Sequence, residues 1–93
     1  LKIEKYVLEI TERQNIDIGG NMPAVLSVHE QNGELVMWIQ LDEDYPGSFN
    51  IDVNIVETGN SFEMHGKYVN SVIMSSDIEC HIYAKVNYIR AVE

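Results

Sequence analysis

An all-β fold, a small antiparallel sandwich or barrel of about seven strands, follows from three features of this chain. Its dominant hydrophobic period is two, the period of half-buried strands. Turn-forming clusters separate the apolar runs at roughly ten-residue spacing. Apolar residues nowhere recur at helical spacing over successive turns. With 93 residues the chain makes one domain, 1–93, and leaves no room for a second core.

Near the start, Tyr6, Leu8 and Ile10 alternate with Val7 and Glu9, and Ile16 and Ile18 alternate with Asn15 and Asp17. Between residues 24 and 41 two apolar runs, Ala24 to Val28 and Leu35 to Ile39, flank Gln31-Asn32-Gly33-Glu34. Asn-Gly supplies the two positive-φ positions of a type I′ turn, whose twist matches paired antiparallel strands, so a 24–41 hairpin turns at Asn32-Gly33. Phe49, Ile51, Val53 and Ile55 form one face of the next strand, with Asn50, Asp52 and Asn54 on the other. A one-residue slip would expose all four apolar groups, which pins the register. Lys67 to Met74 is a further strand, and Ile78, Cys80, Ile82, Ala84 and Val86 line one face of the last. The expected breaks are Gly19 to Pro23, Asp42 to Ser48 around Pro46-Gly47, Thr58 to Ser61, and Ser75 to Asp77.

The charge is uneven. From Gln14 to Gly66 the chain carries nine carboxylates and neither a lysine nor an arginine. A stretch of average composition that long would hold about six cations. A net charge of -9 repels nucleic acid and anionic membranes and attracts basic protein surfaces. No apolar run reaches the ~20 residues that cross a bilayer, and the first residues do not read as a signal peptide. Cys80 is the only cysteine, which excludes an internal disulfide and fits a reducing, cytoplasmic setting.

Motifs that carry chemistry are missing. Asp42 and Asp44 start like an EF-hand loop, but Pro46 and Val53 fall where ligands belong, so calcium is rejected. His29, His65, His81 and Cys80 lack the paired spacing of zinc sites. Cys80 and His81 leave opposite faces of one strand, so Cys80 is expected in the core and His81 outside. No serine sits in an activated turn and Gly19-Gly20 precedes no helix, so neither nucleophile nor phosphate cradle is expected. The reading is therefore of no enzyme, cofactor or metal. Trp38 either joins Val36 in a second core layer, the preferred reading, or anchors a partner. Asp42, Glu43, Asp44 and Tyr45 form the densest acidic cluster at an expected loop tip, with Glu30 and Glu34 beside the hairpin turn. These six are the candidate partner-binding residues.

Lys5-Tyr6, Met22-Pro23, Leu26-Ser27-Val28, Gln31-Asn32-Gly33 and Trp38 together resemble a family of small uncharacterised domains encoded by phages and prophages. Thr58-Gly59-Asn60 and Tyr68-Val69 resemble its later segments, so the likeness covers roughly residues 5 to 86. Two positions depart from the pattern: Glu43 replaces a proline after Asp42, and Asn60 replaces a histidine. The resemblance implies a phage accessory protein acting inside a bacterium and implies no activity. With the acidic charge, it leads to the expectation of a non-enzymatic protein that binds a basic surface, inhibiting a host defence or nucleic-acid-handling complex. A structural module that oligomerises or decorates a virion is the competing class. A small-ligand module is the third, and for an anionic ligand it needs Lys67, Lys85 and Arg90 to converge.

Overall fold

The computed structural model describes residues 1–91, and it is all-β as the period of two requires. The described residues form five strands rather than seven: β1 (Lys2–Leu8), β2 (Arg13–Gln31), β3 (Glu34–Glu57), β4 (Lys67–Ile73) and β5 (Glu79–Ala91). Two expected breaks cause the difference. Gly19 to Pro23 lies within β2 and Asp42 to Ser48 within β3, where the two strands pair with each other. The chain does not turn at either place. Instead the β2–β3 register shifts between Asp17 and Gly19, between Gly19 and Asn21, and between Asn21 and Met22. Glycine and proline thus serve as bulge residues that bend a paired ribbon, a role they share with turns.

All pairings are antiparallel and form one sheet, not a two-sheet sandwich. β2 lies along one side of β3 for nearly its whole length, from Arg13↔Asn54 to Gln31↔Glu34. On the other side β1 covers Leu35 to Leu41 and β5 covers Gly47 to Glu57. β4 continues the sheet beyond β5. The bent ribbon curls the sheet into a half-barrel and brings β2 against β4. Asn70 closes that seam: Val28 N–H donates to its Oδ1 (2.8 Å) and its Nδ2 donates to the Val28 carbonyl (2.7 Å). One side chain here makes the bonds that a neighbouring strand would make.

The expected hairpin is present, with Asn32 at φ 53° and Gly33 at φ 81°, both in the left-handed region of a type I′ turn. The concave face holds the core. Leu35, Met37, Ile39 and Leu41 from one half of β3 meet Phe49, Ile51, Val53 and Ile55 from the other, with Val28, Cys80 and Ile82 among them. Cys80 is fully buried, as its pattern requires, and burial pushes its thiol pKa up. On the convex face Val36 is buried and Trp38 half-buried, its ring 6.0 Å from that of His29. Residues 58–66 cross the same face: Phe62 packs at a tilt against Tyr83 (5.4 Å between centroids), and His65 contacts Arg13.

Candidate functional site

Asp42, Glu43, Asp44 and Tyr45 stand at the bend of β3, within a strand rather than at a loop tip. The pairings explain their exposure. β1 ends opposite Leu41 and β5 ends opposite Gly47, and on the β2 side consecutive Asn21 and Met22 pair with Pro46 and Asp42, so Glu43, Asp44 and Tyr45 bulge from β3 without a strand partner. The backbone N–H of Asp44 donates to Asp42 Oδ1 (3.1 Å), a local bond that holds the kink. Glu43 lies 3.8 Å from the Leu1 amine. Among the described residues, no lysine or arginine side chain forms an ion pair with Asp42, Glu43 or Asp44.

Tyr45 is 61% exposed and borders a groove of about 530 Å³. Met22 and Pro23 of β2 form one wall of that groove, Val86 and Tyr88 of β5 the other, and Phe49 lies at its base. The rings of Phe49 and Tyr88 pack against each other, 5.4 Å between centroids and tilted by 57°. A second groove of about 850 Å³ shares Pro23 and Val86 with the first. It runs between Pro23 to Leu26 of β2 and Gly66 to Val69, over Ala84 and Val86. Together they form the open seam of the half-barrel, shut at its far end by Asn70. Sequence reasoning missed Met22, Val86 and Tyr88 as site residues. The period of two marks Val86 as core-facing, and only the short reach of β4 leaves it uncovered.

Glu30 and Glu34 do not join this site. They flank the hairpin turn, and the eight residues from Glu34 to Asp42 span about 27 Å of strand. The Glu30 carboxylate is occupied: it accepts from Ser75 N–H (3.0 and 3.1 Å) and from Ser75 Oγ (2.6 Å), tying β2 to the turn after β4.

Two other polar clusters lie on the convex face. Asp52 accepts from Asn15 Nδ2 and Asn87 Nδ2, both at 2.8 Å, and stands opposite Lys85 in the ladder. The two amide bonds, then the Lys85 and Arg13 charges, hold its carboxyl below the usual range. Lys85 thus spends part of its charge on Asp52, while Lys67 borders the larger groove with it. The side chain of Arg90 lies outside the described residues. The second cluster is a relay. The Glu79 carboxylate can only accept, so the Thr58 hydroxyl donates to it (2.6 Å) and accepts from His81 Nε2 (2.7 Å). His81 Nδ1 lies 2.7 Å from Ser71 Oγ, which lies 2.7 Å from the Tyr68 hydroxyl, so hydrogen bonds continue the chain. Ser71 and His81 line neither groove; their bonds fasten the Thr58 turn to β4 and β5.

No set of three or more His, Cys, Asp or Glu side chains that could hold a metal ion occurs among the described residues. Nor does any helix long and apolar enough to cross a membrane. No curated protein and no solved structure matches this chain. A family model does, over residues 1–90: the chain belongs to the family described as Domain of unknown function (DUF7352).

Proposed function

We propose that this domain is a non-enzymatic binding module that docks a basic surface of another protein through Asp42, Glu43, Asp44 and Tyr45. One observation carries the reading: exposed Tyr45 and Tyr88 flank an apolar groove next to three carboxylates that no lysine or arginine side chain pairs with among the described residues. Tyrosine supplies contact area at small entropic cost, and interface centres favour it. The adjacent carboxylates would steer lysines and arginines to the groove and make association sensitive to salt. The resemblance to phage- and prophage-encoded domains makes a host defence or nucleic-acid-handling complex in the bacterial cytoplasm the class of partner we favour. Such complexes hold phosphates with cations that carboxylates can occupy.

The test is affinity capture from bacterial lysate as ionic strength rises and the Debye length falls from ~10 Å at 0.1 M toward ~3 Å at 1 M. A specific partner should be released by salt, and lost to the combined Asp42→Asn, Glu43→Gln, Asp44→Asn variant and to Tyr45→Ala. Retention by both variants would refute the site. A stable homo-oligomer in native mass spectrometry, with no captured partner, would favour the assembly module instead.

A further inference from the structure

We infer that the groove takes its partner as an added β-strand along the free edge of β5, an inference that rests on the binding reading above. The occupant is an extended polypeptide segment with small apolar side chains at alternate positions and lysine or arginine at its N-terminal end. On the side away from β3, β4 pairs only with Glu79 to Ala84. From Lys85 to Ala91, β5 pairs with β3 alone. Over that stretch one row of backbone N–H and C=O groups faces no strand among the described residues. Natural edges are usually blunted by charge, proline or a bulge. This one has Lys85 at its start and a bulge at Ile89, where the register against β3 shifts, yet between them it presents exposed Val86 and Tyr88.

The rest of the seam fits the same occupant. Asn70 makes strand-like bonds to Val28, which shows that β2 offers backbone groups to this side. Nearer the bend, Pro23 to Leu26 stand across from Gly66 to Val69 with no pairing between them. The grooves, about 530 and 850 Å³, lie within the size range of ordinary binding clefts. An incoming strand that prolongs the line of β4 runs antiparallel to β5, as β4 does. Its N-terminal end then passes the end of β5 opposite Gly47 and reaches Asp42 to Asp44. Charge complementarity therefore fixes its direction, while the edge supplies main-chain bonds and the groove accepts alternate side chains.

The probe is a short peptide of alternating valine and threonine with a lysine pair at its N-terminal end, followed by amide NMR of the whole chain. The expected result is shifts at Lys85 to Ile89 and at Tyr45, and at least tenfold weaker binding when alternate backbone nitrogens are methylated. Moving the lysines to the C-terminal end should also weaken binding. Equal affinity of the methylated peptide overturns strand addition, as does the absence of shifts at about 1 mM, the weak limit of recognition. Shifts confined to Asp42 to Tyr45 overturn it too, yet leave the basic-surface reading standing. That reading fails separately, through the Tyr45→Ala and carboxylate variants above.

Discussion

Asn70 closes the half-barrel through one amide, and its partner Val28 is fully buried. Asn70→Ala would strand a buried N–H and a buried C=O, each costing about 1–3 kcal/mol. We expect urea unfolding to show a loss of about 2–4 kcal/mol, large for a half-buried polar residue. Asp52 makes a pH prediction. Its folded pKa is depressed, so its stabilisation is present above the unfolded value and fades as pH falls through the folded one. Asp52→Asn should therefore cost about 1 kcal/mol at neutral pH. The gap to the parent should shrink below about pH 4, the unfolded carboxylate range, when unfolding is followed against pH. Both roles were hidden in the sequence, where Asn70 and Asp52 read only as polar strand positions. Glu30 shows the converse: a visible carboxylate beside a turn, whose oxygens fold back on Ser75.

At the scale of elements, local chemistry was legible wherever it acts locally. Asn32-Gly33 turns the hairpin, Ser75 to Asp77 and Thr58 to Gly59 turn where expected, and β4 and β5 fall on their apolar patterns. Gly19-Gly20 and Pro46-Gly47 look the same in sequence and act differently. Each lies opposite the other's strand, so the ribbon bends as a unit and stays paired. Whether a breaker ends a strand or bulges it depends on the partner strand, which lies more than twenty residues away. Gly66 marks where residues 58–66 rejoin the sheet. Its φ is 82°, and an added Cβ would meet the Ala84 carbonyl and lie 2.9 Å from the Lys85 nitrogen. Gly66→Ala should destabilise by about 1–3 kcal/mol, the usual cost of such strain. Thermal unfolding checks it, and the β4–β5 amides should exchange faster.

Over the whole molecule, the nine carboxylates from Gln14 to Gly66 do not make one patch. Asp17 lies on β2, Asp52 on the convex ladder, Glu30 and Glu34 at the hairpin end, Asp42 to Asp44 at the bend, Glu57 at the end of β3 and Glu63 beyond it. Arg13 and Lys85, outside that stretch in sequence, come back across the sheet to Asp52. Dispersed like charge still opposes compaction. Salt should therefore raise the melting temperature at pH 7 while it weakens partner capture. Calorimetry at low and at 0.5 M sodium chloride, about 4 Å of Debye length, reads the first effect. A falling melting temperature would show that specific ion pairs outweigh the general repulsion.

The sequence by itself determined the strand class, the hairpin turn and the residues that face the core. Period and turn chemistry act over a few residues, and a buried face tolerates no slip. Only the tertiary structure decided that two breakers are bulges, that the sheet curls and closes on Asn70, and that β4 stops short of β5. Those depend on pairing between segments far apart in the chain. The binding groove is a product of that mismatch in strand length: Val86 and Tyr88 continue an ordinary alternation, and the end of β4 leaves them open.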